Sequence, residues 1–434
     1  MTLKVGLLGL GTVGTGVAQI LLDAVGRSPL LQQLTLHRVG VRTLDKPRSI
    51  QLDKECFTTD LESIVTDPEV DVVVEVIGGL EPARTYILQA IAHGKHIVTA
   101  NKAVIARHGA EIFDAATQAG VYVLLEAAVG GGIPIINPLK HSLGGDRLNA
   151  ITGIVNGTTN YILTRMAQEG ADFADVLADA QALGYAEADP TADVDGFDAA
   201  DKLAILASLA FGTRVKIDDI HCEGIRSISA TDIRYAGELG FVIKLLAIAQ
   251  RLGGDDDQEQ LSLRVHPTLL PKDHPLARVD GVYNAIFVEG EPIGQVMFFG
   301  PGAGEGPTAS AVVSDLLNIA AVKLSAAPDS DLNPMMGCSH TGYGAIAPLH
   351  TLTTRFFARF STFDEPGTIG RLGTLFGNHG VSLESIVQTE VDGNQAQVVV
   401  VTHQVKEGNF RAALAEIEQA QDLASVANVL RVVS

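Results

Sequence analysis

Residues 3–14 read LKVGLLGLGTVG. The apolar run Leu3–Leu8 is strand-like and ends in Gly9-x-Gly11-x-x-Gly14, after which Val13, Val17, Ile20, Leu21 and Ala24 recur at helical spacing. A strand, a glycine turn and an amphipathic helix are the context in which this glycine spacing signals a dinucleotide site. Gly9 permits the tight turn, Gly11 the approach of a pyrophosphate, and Gly14 close packing of helix on sheet. The helix N-terminus adds N–H groups and a positive partial charge.

Outward from this unit, strand candidates follow at Leu34–Val41, Val70–Val76, His96–Thr99 and Val121–Glu126, with helical segments between most of them. Apolar strands alternating with helices predict a parallel sheet covered on both faces. Residues 1–136 therefore read as a Rossmann-type dinucleotide-binding domain in an α/β protein. From about Asn137 the texture changes. Helices at Thr158–Gln168, Asp198–Phe211 and Asp232–Gln250 mix with β-like runs at Leu148–Val155, Leu261–His266, Val282–Val288 and Ile293–Phe299. This predicts an α+β catalytic domain over 137–299, with a largely antiparallel sheet and the acidic stretch Gly253–Gln260 as a solvent loop. A second glycine cluster, GPGAGEGP at 300–307, precedes a helix at Thr308–Leu324, and 300–325 reads as a return segment of the first domain. Residues 326–353 are rich in Pro, Gly, Ser and Asp and read as a linker. Residues 354–434 alternate as strand, helix, strand, strand, helix, strand, which predicts a ferredoxin-like unit.

With a formal charge of −20, the chain is a poor partner for nucleic acid or an anionic membrane. No run of about 18 apolar residues suggests a membrane span. The chain enters a strand-like run at Lys4 without a basic n-region, so no signal peptide is expected. Cys56, Cys222 and Cys338 are far apart and form neither a disulfide framework nor a CxxC pair. A reducing, cytoplasmic setting follows as the expectation. The 12 histidines form no HExxH or HxxxH, which argues against zinc, and no GxSxG elbow is present.

Four places carry chemistry. The first is GYAEADPTADVDGFDAADK at 184–202, where Glu187, Asp189, Asp193, Asp195 and Asp198 precede Lys202. Asp198 and Lys202 are one helical turn apart, and Ile205, Leu206 and Leu209 continue the stripe. A lysine heading an apolar stripe is partly desolvated and needs a carboxylate near it; the alternative is a surface ion pair. The second is Arg42, beyond Val39-Gly40-Val41 and near Lys46 and Arg48. A guanidinium there suits a ribose 2′-phosphate, which predicts NADP over NAD; the alternative is an exposed loop residue. The third is Lys102, after the strand His96–Thr99, at the sheet end where cofactor and substrate meet. The fourth is Glu126 with the turn that follows, AAVGGGIP at 127–134. A carboxylate plus exposed carbonyls would suit a hard cation, although spacing alone favours a structural turn.

Taken in order, the fingerprint, TANK at 99–102, EAAVGGGIP at 126–134, NGTTNYIL at 156–163, the 184–202 stretch and GPGAG at 300–304 resemble homoserine dehydrogenases. The unit at 354–434, with Asp364-Glu365-Pro366-Gly367 after its first strand, resembles an ACT domain. The resemblance implies reversible, NAD(P)H-dependent reduction of L-aspartate 4-semialdehyde to L-homoserine, on the route to threonine and methionine. It makes Lys202 the proton donor and Lys102 an assistant at the same oxygen, also touching the nicotinamide. Glu187 and Asp198 would hold the substrate's ammonium and nearby polar atoms, with Thr158 and Asp193 lining the pocket. Thr12, Val13 and Gly302 would join Gly9, Gly11, Gly14, Arg42 and Gly184 around the cofactor. Glu126, Val129, Gly131 and Ile133 match a sodium site, mostly through carbonyl oxygens. Feedback control by threonine and a homodimer or homotetramer are further implications. Asp189 and Asp195 receive no role.

Two rival readings remain. A dehydrogenase that forms a thioester from a semialdehyde needs a cysteine nucleophile, and none of the three cysteines has a fitting context. A non-catalytic amino-acid sensor would not need Lys102, Glu187, Asp198 and Lys202 together.

Overall fold

The computed structural model describes residues 2–253, 259–325, 332–337, 340, 342–392, 395–420 and 423–433. Residues 254–258 of the expected acidic loop, residues 326–331 of the expected linker, and Cys338 lie outside the described residues. The chain divides into two compact units. The first holds Met1–Ile151, Asp201–Asp218 and Asn284–Gly344; the second holds Thr152–Ala200, Asp219–Tyr283 and Ala345–Ser434.

In the first unit β1 (Leu3–Leu8) leads into α1 (Thr12–Leu22), then β2 (Leu34–Gly40) and β3 (Phe57–Thr58). The chain continues through α2 (Glu62–Val65), β4 (Val72–Glu75), α3 (Ala83–Ala92), β5 (His96–Thr99), α4 (Lys102–Ala119) and β6 (Val123–Leu124). The six strands are parallel in the order β3-β2-β1-β4-β5-β6. The chain steps outward from β1, then returns to lay β4 on the other side. The crevice outside the carboxyl ends of β1 and β4 is thus the topological switch point, where such sheets bind ligands. Val5, Leu7, Val72, Val74 and Val98 fill the core under α1. The Glu305–Ser325 helix closes this core: Ala309, Val312, Leu316, Ile319 and Ala320 are buried with the strands. By length and composition it could cross a membrane, but half of that window is buried. It meets α1 at Gly16, where a Cβ would stand 2.9 Å from Ala309 Cβ and leave no room for a larger residue.

In the second unit the Phe241–Gly253 and Glu259–Pro271 strands pair antiparallel from Phe241↔Pro271 to Gly253↔Glu259. The sequence reading of a helix over Asp232–Gln250 is corrected here. The helix runs Ala230–Glu238, opened by a Ser229–Asp232 capping box, and Gly240 at φ +86° turns the chain into the strand. Residues 243–249 are buried without a break and, apart from Lys244, are apolar on both faces, so no period of two separates the run from a helix. Glu259–Pro271 also pairs in parallel with Ala424–Val432. The sheet continues through Thr353–Phe363 and Gln395–Thr402 to Leu383–Asp392. With helices Thr368–Asn378 and Glu407–Gln419 this is the expected βαββαβ order. Its core stacks Phe356 on Phe410 at 3.9 Å, beside Phe360 and Phe376.

Candidate active site

At the end of β1, Gly9 adopts φ +103° and donates its N–H to Gly40 O at 3.0 Å. A Cβ on Gly14 would lie 2.1 Å from Gly9 O, so the turn closes only because Gly14 lacks one. A Cβ on Gly11 would meet nothing within 4 Å. Gly11 caps α1 without any side-chain hydrogen bond, and Gly11 and Thr12 are exposed while Val13 packs against the core. An uncapped helix N-terminus with open space over the glycine fits a diphosphate. Beyond β2, Arg42 is exposed. Arg48 is not: its guanidinium donates to the carbonyls of Thr43, Leu44 (2.7 Å) and Lys46 (2.9 Å) and sits 4.8 Å over the Phe57 ring. It fastens the loop, leaving Arg42 and Lys46 as the exposed cations of this stretch.

The ends of β4 and β5 are bound by Glu75, which the sequence reading passed over. Its carboxylate is fully buried and accepts from Ile77 N (2.9 Å), Gly78 N (3.2 Å) and Thr99 Oγ1 (2.7 Å). Thr99 Oγ1 accepts from Asn101 N, and the Asn101 side chain donates to Gly79 O at 2.7 Å and caps α4 through Val104 N. Lys102 is the first residue of that helix and is half-buried, so this network sets where it begins. An acid closing the apolar run of β4 was the available signal.

Lys202 is half-buried on the Phe197–Phe211 helix, next to Asp201. Arg107 of α4 donates from Nη1 to Asp201 Oδ2 at 2.9 Å, with Oδ1 at 2.8 Å. The helix that begins at Lys102 and the helix that carries Lys202 are thereby joined. A separate cavity of about 450 Å³ lies between these helices further along, lined by Ile105, Gly109, Phe113, Ile205 and Leu209, and holds none of the predicted site residues.

Glu126 was expected at the end of a strand. It instead opens a short turn of 3-10 helix after β6, and its buried carboxylate accepts from Ile135, Ile136 and Asn137 N–H at 2.6–2.9 Å. Burial raises its pKa above the ordinary range, against the pull of those donors. Its own N–H donates to Asp315, whose fully enclosed carboxyl is pushed up to about 7 by burial. The Glu126 side chain is thus engaged with backbone, and a cation here would rely on carbonyl oxygens of the turn. Gly130 and Gly131 take φ +75° and +55°, and Gly131 is pressed against Gly302, whose oxygen a Cβ would approach to 2.4 Å. Gly132 N donates to Pro301 O at 3.1 Å, so the two glycine loops read separately in the sequence form one layer.

In the second unit, Asn156 Nδ2 donates to Asp193 Oδ1 at 2.7 Å and to Asp198 Oδ2 at 2.9 Å. Thr158 Oγ1 donates to Tyr185 O at 2.7 Å. Glu187 is exposed, and its carbonyl accepts from Gln181 Nε2. Gly184 ends the Phe173–Ala182 helix at φ +76°, a conformational reason for glycine there. The two acids without a role acquire one. Asp189 accepts from Thr191 N at 3.1 Å, one residue ahead of the Pro190 cap of the short Thr191–Val194 helix. Asp195 pairs with Arg226 at 2.6 Å. Cys222 is half-buried, and burial pushes its thiol up to about 11, the opposite of an activated nucleophile.

The parallel sheet with its glycine turn and open helix N-terminus defines a dinucleotide-binding protein. A sequence profile described as "Homoserine dehydrogenase" matches residues 134–317, its NAD-binding domain matches 9–126, and an ACT domain matches 357–422. The homoserine dehydrogenase of Synechocystis sp. is 64% identical over 434 residues, covering 100% of both chains. That of Corynebacterium glutamicum is 44% identical, covering 98% of this chain and 95% of the relative. The crystal structure of a homoserine dehydrogenase from Thiobacillus denitrificans superposes with TM-score 0.90 at 40% identity, covering 100% of this chain and 99% of that one. A hyperthermophilic archaeal homoserine dehydrogenase solved in complex with NADPH gives TM-score 0.63 at 26% identity, covering 77% of this chain and 100% of that one. The chain belongs to the homoserine dehydrogenase family, with activity on a CH–OH group and a nicotinamide dinucleotide as cofactor.

Proposed function

We propose that Lys202 donates the proton to the carbonyl oxygen of L-aspartate 4-semialdehyde as it becomes homoserine, with Lys102 stabilising the developing charge on that oxygen. A bound nicotinamide dinucleotide supplies the hydride. Ammonium groups at the oxygen neutralise the charge that hydride transfer builds there. Glu187 and Asp198 receive the substrate's α-ammonium, and Asp193 and Thr158 line the same pocket. The observation that carries this reading is the Arg107–Asp201 pair, which joins the helix headed by Lys102 to the helix bearing Lys202. Lys202→Ala is expected to lower kcat by about 10²–10⁴-fold, as loss of a general acid does. A variant that still reduces the semialdehyde at the wild-type rate would sink the mechanism.

Four finer readings belong here. Exposed Arg42 supports NADP over NAD; the NADPH relative is consistent with it. An Arg42→Ala enzyme with an unchanged ratio of NADPH to NADH efficiency would refute it. The turn with Glu126, Val129, Gly131 and Ile133 holds sodium as a structural ion, which predicts a melting temperature higher in sodium than in a large organic cation. The ACT unit binds threonine as a feedback signal, and a homodimer or homotetramer forms; threonine inhibition that survives deletion from Thr354 onward, or a monomer by light scattering, would count against these. The enzyme works in the cytoplasm, and thiol labelling of the freshly extracted protein would show free cysteines there.

A further inference from the structure

Asn156 is 5% exposed, and all four of its hydrogen-bonding positions are used. Oδ1 accepts from Thr159 N at 2.8 Å and Thr159 Oγ1 at 2.9 Å, which caps the Gly157–Glu169 helix. Nδ2 spends one hydrogen on Asp193 and the other on Asp198. The amide orientation is fixed, because the reverse would set its oxygen against two carboxylates.

Capping needs only an oxygen, and Ser, Thr or Asp would serve equally. Asparagine adds an NH₂ group that bridges two carboxylates from separate short elements. Asp193 lies on the Thr191–Val194 helix and Asp198 in the first turn of Phe197–Phe211. Two like charges brought side by side repel. A neutral amide donates to both and holds them in register.

We infer that Asn156 is a positioning residue for the amino-acid substrate: it clamps Asp198, which receives the α-ammonium group, against Asp193 of the pocket wall. The inference rests on the reading above that Asp198 takes the ammonium. The clamp also orients the helix turn that precedes Lys202, since Asp198 lies four residues before it.

The test separates cap from clamp. Asn156→Ser keeps a capping oxygen but cannot reach both carboxylates. In the full-length enzyme its kcat/KM for homoserine is expected to fall about tenfold to a hundredfold, the scale of a displaced positioning group. The loss should appear mainly in KM for homoserine, with KM for NADP and the melting temperature unchanged. Asn156→Asp keeps cap and size but adds a third carboxylate. It should lose more, and recover partly as pH falls and the new carboxyl takes up a proton. An Asn156→Ser enzyme with wild-type kcat/KM overturns the inference, and so does a parallel loss of cofactor affinity and melting temperature, which would mark a structural cap. Asp198→Asn tells the two readings apart. If its KM for homoserine is unchanged, the ammonium site itself is wrong; if it rises while Asn156→Ser is silent, only the clamp is wrong.

Discussion

Two glycines of one fingerprint should fail in different ways when given a methyl group. At Gly14 the added Cβ stands 3.0 Å from Gly9 C and only 2.1 Å from Gly9 O, well below the 3.0 Å that real Cβ contacts reach. The atom it meets is backbone, so the turn must open by about 1 Å. Overpacking of this kind costs about 1–3 kcal/mol or more. Gly14→Ala should therefore lower the melting temperature by several degrees, with about 2–4 °C lost per kcal/mol in a unit of this size. At Gly11 the methyl meets nothing within 4 Å, and φ −81° suits any residue. The lost glycine cap costs a few tenths to about 1 kcal/mol, and the stiffer unfolded chain returns about 0.4–1 kcal/mol. Stability should be close to neutral. The methyl would instead stand where a diphosphate must approach the N–H groups of α1. KM for NADPH should rise at least about tenfold, equivalent to roughly 1.4 kcal/mol, with kcat changed less. Melting curves and initial rates of NADPH oxidation at varied cofactor measure both. A Gly11→Ala enzyme with unchanged cofactor KM, or a Gly14→Ala protein as stable as wild type, would refute the division of labour.

His96 is buried, stacks on Tyr122 at 5.3 Å, and accepts from Tyr122 N through Nδ1 at 3.0 Å. Burial lowers its pKa from 6.5 to about 4, so the unfolded chain takes up the proton first. Its contribution is present above pH 6.5 and is lost as pH falls from there through about 4. His96→Asn should flatten that part of the melting-temperature profile; parallel profiles for the two proteins would contradict it. Arg431, with a side chain 3% exposed, pairs with Glu407 (2% exposed) and with Glu223 at 3.0 Å. Arg431→Met should cost about 3–5 kcal/mol in denaturant unfolding, because it strands a buried carboxylate. Hydrogen exchange should quicken in Ala424–Val432, and a cost under about 1 kcal/mol would show that the pair is not what holds this strand.

The legible part of the fold is the part written in local patterns. β1, the glycine turn and α1 are adjacent in sequence and each has its own period, so the parallel sheet could be read from them. The run Phe241–Gly253 could not, because a strand buried on both faces carries no alternation. Lys102 was read from its place after a strand. Glu75, which fixes that place, meets Thr99 across 24 residues and left only a weak mark. Arg107 and Asp201 are 94 residues apart, a distance over which spacing says nothing.

The acidic stretch at 184–202 shows how partners sort residues that look alike. Asp189 is spent on a backbone N–H, Asp195 on Arg226 and Asp201 on Arg107. Each of these builds the loop or fastens the helix. Asp193 and Asp198 are bridged by the amide of Asn156, a group without charge. A carboxylate matched to a guanidinium has little left to offer a further cation. The same chemistry that makes five aspartates indistinguishable in sequence thus divides them in the fold. Those bound to a guanidinium or a backbone N–H hold the frame, and the two bridged by Asn156 are held in register with each other.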